Sequence, residues 1–385
     1  MTFPRADSQP PSLPDPARTD VVDLTQAICD IESVSGGEGP LADAVQSALA
    51  RCAHLHVQRD RNTVIARTEL GRDHRVVIAG HLDTVPIQAN LPTRRRPGPD
   101  GNEVLWGRGT VDMKGGVAVA LHLAASLTAP AWDVTWVFYD NEEVDAEANG
   151  LNRVVRTKAH WLAADLAILG EPTGAGIEGG CNGTLRVAVT TRGRTAHSAR
   201  SWMGKNAIHD AAEVLSRLSG YTPQVVEVDG LSYREGMNAV AISGGIAGNM
   251  IPDVCTVEVN YRFAPSVSGE GALAHVREVF TGFDVELLDV APGARPGLDH
   301  PVTQEFLAAV QTFTGRDAEA KQGWTDVARF AELGIPAVNF GPGDPMLAHA
   351  DDEQVPTTQI RTCAAALQAW LSRDPEQNST RGLTS

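Results

Sequence analysis

Apolar and polar positions along the chain follow two alternating periods. Apolar residues recur at three- and four-residue spacing over 21–32 and again over 41–52, which predicts two helices parted by the Gly36-Gly37 break. Short apolar runs then predict strands at 75–79, 134–139, 166–169 and 337–340, with helix-period segments at 116–127, 151–161 and 326–333. Such alternation predicts an α/β domain around a central mixed, largely parallel sheet. Between about 183 and 290 the order changes to strand 184–191, helix 206–218, strands 239–246 and 255–263, helix 272–280 and strand 285–290. A β-α-β-β-α-β order predicts a small open α+β sheet of ferredoxin-like type with its helices on one face. The expected organisation is one domain over 19–182 and 295–385, interrupted by an inserted domain over 183–294. Residues 1–18, rich in proline and polar side chains and lacking an apolar signal-peptide core, read as a disordered leader.

Composition narrows the class. A length of 385 residues with 42% hydrophobic and 21% charged residues is that of an ordinary globular protein large enough for two domains. The formal charge is 32 − 48 = −16 and no dense basic stripe is present, which argues against a nucleic-acid partner. The run Arg94-Arg95-Arg96 reads as a solvated loop. Cys29, Cys52, Cys181, Cys255 and Cys363 are scattered and form no CxxC pair, as expected of small buried side chains in a reducing compartment. No apolar run is long enough to span a bilayer, so no membrane association is expected and a cytoplasmic enzyme fits best.

Candidate chemistry gathers at the strand ends. Ligands of an open α/β sheet bind beyond the carboxyl ends of its strands. His81 and Asp83 follow the first predicted strand, two apart and so able to face one site. Asp140-Asn141-Glu142-Glu143 follows the second strand, Glu171 the third, and His349 lies in the loop after the fourth. Asp112 sits in Gly109-Thr110-Val111-Asp112-Met113-Lys114-Gly115-Gly116, where a loop enters a helix and an aspartate is equally a plain N-cap. A single His–Asp pair at a strand end is as readily a satisfied turn. Several such clusters together are a metal-site composition: imidazole and carboxylate without thiolate suits zinc, with cobalt or manganese as substitutes, and the ligand count allows two ions around one bridging carboxylate. Of Glu142 and Glu143, one can ligate while the other stays free as a base.

The segments Gly80-His81-Leu82-Asp83-Thr84-Val85-Pro86, Gly107 to Gly116, Asn141-Glu142-Glu143, Gly170-Glu171-Pro172 and the late His349 resemble the co-catalytic zinc aminoacylase and carboxypeptidase G-like family of metallohydrolases. The resemblance implies a zinc-peptidase-like catalytic domain with two zinc ions per subunit. One ion would be held by His81, Asp112 and Glu171, the other by Asp112, Glu143 and His349. Asp83 would orient His81, and Glu142 would be the general acid/base. A non-proline cis peptide is implied after Asp112. Gly193-Arg194-Thr195-Ala196-His197-Ser198-Ala199 resembles the family's lid motif, whose histidine reaches the active site of a partner subunit, so a homodimer through the inserted lid domain is implied. Stretches around Asn249, Arg262 and Thr325 extend the resemblance toward deacylases of N-acyl amino acids with several carboxylates. In that reading Arg262 is a carboxylate clamp, the alternative being an exposed strand-end arginine, and Asn249 and Thr325 are polar contacts. Other N-acyl amino acid hydrolases or aminopeptidases of the family share these motifs, and a non-catalytic binding protein on the same scaffold is the remote alternative.

Overall fold

A computed structural model describes residues 11–373. They divide into two compact units, one holding the described residues up to Glu178, Gly297–Glu319 and those from Arg329 onward, the other Gly179–Pro296 and Ala320–Ala328.

In the first unit the central sheet runs His56–Asp60, Thr63–Arg67, Asp133–Tyr139, Arg75–His81, Leu166–Leu169 and Ala337–Asn339. Arg75–His81 pairs in parallel with both Asp133–Tyr139 and Leu166–Leu169, and Ala337–Asn339 continues the parallel set. The hairpin His56–Arg67 adds an antiparallel edge. The sheet is thus mixed with a parallel core, the architecture the alternating pattern predicts. Asp133–Tyr139 and Leu166–Leu169 are buried along their whole length, which explains their unbroken apolar character. Helix Lys114–Ser126 is buried nearly all round and packs against Arg75–His81 and the helices Val21–Cys29 and Thr357–Leu371. Its approach is set by glycine: a Cβ on Gly116 would stand 2.1 Å from the Gly170 carbonyl oxygen, so only a hydrogen lets the helix start this close to the strand end at Gly170.

The second unit holds a four-stranded antiparallel sheet ordered Gly236–Gly244, Val254–Phe263, Gly183–Arg192, Asp284–Ala291. Strand Val254–Phe263 alternates strictly, with Cys255, Val257, Val259, Tyr261 and Phe263 buried, and helices Ala207–Ser219 and Gly269–Val279 pack on the sheet through Ala207, Ala211, Val214, Ala272 and Val276. The order is ferredoxin-like. A two-stranded hairpin, Val225–Val228 with Leu231–Arg234, interrupts the β-α-β-β-α-β pattern.

Three features differ from the sequence reading. Part of the leader, residues 1–10, lies outside the described residues, but 11–18 are placed: Leu13 is buried, and His122 Nδ1 lies 2.8 Å from the Pro16 carbonyl oxygen. Segment Ala320–Ala328, expected within the first domain, belongs to the second unit, because Asn182 Nδ2 donates to Gln322 O at 3.1 Å, Gln322 Nε2 donates to Ser232 O at 3.0 Å and Trp324 Nε1 donates to Pro292 O at 3.1 Å. Arg94–Pro97 is a strand and no loop, paired with Glu103–Trp106, with the Arg94 and Arg96 guanidinium groups 5.7 and 5.2 Å from the Trp106 ring centroid.

Candidate metal centre

His81 is the last residue of Arg75–His81 and is 1% exposed, fixed by the parallel register that sets it beside Tyr139. Its Nδ1 lies 3.0 Å from the Asp83 backbone carbonyl and 3.5 Å from the Asp83 carboxylate, while Nε2 faces Asp112 Oδ1 at 3.1 Å. The nearer partner of Nδ1 is therefore the carbonyl. The fully buried Asp83 side chain has further partners: Oδ1 accepts from Glu142 N at 2.9 Å, and Oδ2 accepts from Glu143 N at 3.1 Å and Ser35 Oγ at 2.8 Å. Asn141 makes this possible with a left-handed φ of 59°, turning two successive N–H groups onto one carboxylate. Behind it Asp140 is held by Thr63 Oγ1 at 2.5 Å and Arg153 Nη2 at 2.9 Å.

Asp112 stands at the entry of helix Lys114–Ser126, and the Asp112–Met113 peptide is cis, where the family resemblance places one. Its Oδ2 lies 3.2 Å from His349 Nε2, which in turn is 3.0 Å from Glu143 Oε2. His349 sits in a loop at φ 64°. Ligand atoms of His81, Asp112 and Glu171 lie within 4.8 Å of one another, as do those of Asp112, Glu143 and His349 and those of His81, Glu142 and Glu143. The structure thus brings all five expected ligands and Glu142 into overlapping groups, with Asp112 shared by two of them. Electrostatics follow from the crowding. Burial alone would push the His81 imidazole down, but Asp112 and Asp83 hold it well above the usual histidine value. Asp112 and Glu143 raise His349 to about 10 against its partial burial. Burial would raise Asp112, yet His349 and His81 hold its carboxyl well below the usual range.

A sequence profile of peptidase family M20/M25/M40 matches residues 77–373. The chain belongs to this family. As a family M20/M25/M40 member it is 52% identical over 357 residues to the "putative succinyl-diaminopimelate desuccinylase DapE" of Mycobacterium tuberculosis, covering 92% of this chain and 98% of that one. It is 46% identical over 364 residues to the succinyl-diaminopimelate desuccinylase of Corynebacterium glutamicum, covering 92% and 96%. Among solved structures, an M20 family metallo-carboxypeptidase from Sulfolobus solfataricus shares the fold with a TM-score of 0.73 at 16% identity, covering 93% of this chain and 100% of that one.

The remaining expected residues of this M20/M25/M40 chain lie in the second unit. His197 is exposed, its Nδ1 accepts from Ala199 N at 3.1 Å, and its backbone bridges to Met250. Asn249 is beside it, its carbonyl accepting from Ser198 N at 2.9 Å. Arg262 is half-buried; its side chain donates from Nε to Asn260 Oδ1 at 3.1 Å and makes no ion pair among the described residues. Burial lowers the pKa of this guanidinium. Thr325 is buried, with its carbonyl 3.7 Å from Cys181 Sγ. Ser35, Arg108 and Glu353 also support the site, and none of them was given a role from the sequence, although Arg108 lies inside the Gly107–Gly116 segment. Glu353 is fully buried, and it accepts from Val111 N at 2.8 Å and Asp112 N at 3.1 Å. The one signal for it was a carboxylate four positions past His349.

Proposed function

We propose that this chain hydrolyses N-succinyl-LL-2,6-diaminopimelate to succinate and LL-2,6-diaminopimelate, using two divalent cations, zinc foremost, at the Asp112 cluster. The observation that carries the chemistry is the double membership of Asp112, one carboxylate facing both histidines from separate ligand groups. The substrate rests on near full-length similarity to two desuccinylases. It is further supported by the likeness of Gly244-Gly245-Ile246-Ala247-Gly248-Asn249-Met250-Ile251-Pro252, Val259 to Pro265 and Gly323 to Phe330 to the actinobacterial desuccinylases.

The donor set fits such ions. Imidazole nitrogen and carboxylate oxygen without thiolate suit zinc and admit cobalt or manganese. Four carboxylates, Asp112, Glu142, Glu143 and Glu171, surround two imidazoles, and this concentration of negative charge, which raises the pKa of His81 and His349, is what a bound cation would offset. His81, Asp112 and Glu171 would hold one ion, and Asp112, Glu143 and His349 the other. Such a pair would supply Lewis acidity, lowering the pKa of a water and polarising the scissile carbonyl.

The side chains do the rest. Glu142 takes the proton of the attacking water and returns it to the departing amine, so that water and amide become carboxylate and amine. Asp83 holds the Glu142 and Glu143 backbone and, through its carbonyl, the His81 ring. His197 of a partner subunit donates to the carbonyl oxygen as it gains charge. Arg262, which has no carboxylate partner among the described residues, grips a substrate carboxylate, and Asn249 and Thr325 supply polar contacts. Homodimerisation through the second unit is supported by strand Gly236–Gly244, which among the described residues has a neighbour on one side only and exposes Val240 and Ile242 at 57% and 53%. A cytoplasmic setting is supported by the five cysteines, all free.

The test is amine release from N-succinyl-LL-diaminopimelate, N-acetylornithine and a dipeptide, each with zinc present. The largest kcat/KM is expected for the succinyl substrate. A preference for either of the others overturns the substrate assignment, and activity unchanged by removal of the metal overturns the chemistry.

A further inference from the structure

One buried ion pair of the first unit touches the loops of three ligands and has no part in the chemistry above. Arg108 and Glu353 are 2% and 0% exposed, and Arg108 Nη1 donates to Glu353 Oε2 at 2.8 Å. The other carboxylate oxygen, Oε1, takes the N–H groups of Val111 and Asp112. The guanidinium reaches two further loops. Its Nε donates to Pro86 O at 3.2 Å, just past His81, and Nη1 donates to Ala350 O at 3.2 Å, with Nη2 3.5 Å from His349 O. Strand register delivers the pair: Gln354 stands opposite Trp106, and Gly107 N donates to Glu353 O at 2.9 Å.

We propose that the Arg108–Glu353 pair is a positioning element that sets the spacing of Asp112 and His349, and through it the affinity for the one ion these two hold with Glu143. This rests on the two-ion reading. The two ligand groups differ in what supports them. His81 ends a central strand and Glu171 follows Leu166–Leu169 closely, so their places are fixed by the parallel sheet. His349 is half-exposed in a loop and is tied back to Asp112 by the pair. Only a planar fork serves three directions at once, which is why an arginine stands here.

The test is zinc titration by calorimetry of metal-stripped wild type, Glu353→Gln, Arg108→Lys and, as the reference for loss of that ion, His349→Ala, with circular dichroism and apo-protein Tm as checks of folding. Wild type is expected to take two ions. Glu353→Gln and Arg108→Lys are expected to keep one ion within about threefold of its wild-type Kd and to bind the other about 10–100-fold more weakly, at the step missing in His349→Ala. If one variant does not fold, the other carries the test. Both ions bound as in wild type, or both weakened together in step with a fall in apo-protein Tm, overturns the proposal, as does failure of both variants to fold, which makes the pair a folding element. A wild type that takes fewer than two ions overturns the two-ion reading itself, and this inference with it.

Discussion

Glu142 and Glu143 are neighbours of the same chemistry, and in the proposed reading their positions give them different tasks. Both N–H groups are fixed by Asp83, but only Glu143 belongs to the group that contains Asp112 and His349. Glu142→Gln keeps the fold and the ligands while removing the base, so turnover should fall by about 10²–10⁴ with two zinc equivalents still present by metal analysis. Near-normal turnover in that variant would move the base elsewhere. The residues whose side chains meet in the site were legible because each follows a predicted strand or opens a predicted helix, and the family resemblance assigned their roles. Ser35, Arg108 and Glu353 were not legible. They act on another residue's carboxylate, on N–H groups and on carbonyls, so no repeating spacing marks them. Asp83 was half legible: its place is as expected, while its grip on the Glu142 and Glu143 backbone needs the left-handed Asn141 that no pattern announces.

Helix Lys114–Ser126 carries Asp112 at its entry, and its position depends on a backbone contact. In Gly116→Ala the new methyl meets the Gly170 carbonyl, which belongs to a strand end and cannot turn away. A loss of about 1–3 kcal/mol is expected from the urea midpoint of the metal-free protein, with weaker zinc binding because Gly170 precedes Glu171. A wild-type midpoint would show the helix free to slide. At the far end of the sheet, Asp133 opens the strand Asp133–Tyr139. Burial would raise its carboxyl, but Leu70 N, Thr68 Oγ1 and Arg72 N, at 2.8, 2.8 and 3.0 Å, and then Arg75 hold it below the usual value. A depressed folded value means this contribution is present above the unfolded aspartate pKa, about 3.9, and is lost as pH falls through the lower folded value. Asp133→Asn should therefore be less stable by about 1–3 kcal/mol at pH 7, with a shallower fall in Tm below about pH 4 than wild type. Parallel acid limbs for the two proteins would remove Asp133 from the account. The interior strands were legible from their unbroken apolar runs. The hairpin His56–Arg67, the strands Arg94–Pro97 and Glu103–Trp106, and the hairpin Val225–Arg234 were not: most of these strands are exposed at several positions and mix polar and apolar residues without a clean period, and Thr63–Arg67, although buried, offers an apolar run of only three residues.

For the whole molecule, the question is whether one chain suffices. If His197 serves the site of a partner, mixing His197→Ala subunits with Glu142→Gln subunits should recover part of the wild-type rate, since each mixed dimer keeps one intact combination. No recovery in verified mixed dimers would make His197 a residue of its own chain. The place of segment Ala320–Ala328 in the second unit was not legible, because what assigns it there is hydrogen bonding to residues 182, 232, 234 and 292. Strand Gly236–Gly244 bears on the same question. If the proposed homodimer forms along this edge, which exposes Val240 and Ile242, its population follows mass action. Specific activity then ceases to be a constant of the protein: the rate per chain falls on dilution, and assays at nanomolar enzyme report a lower value than assays at micromolar.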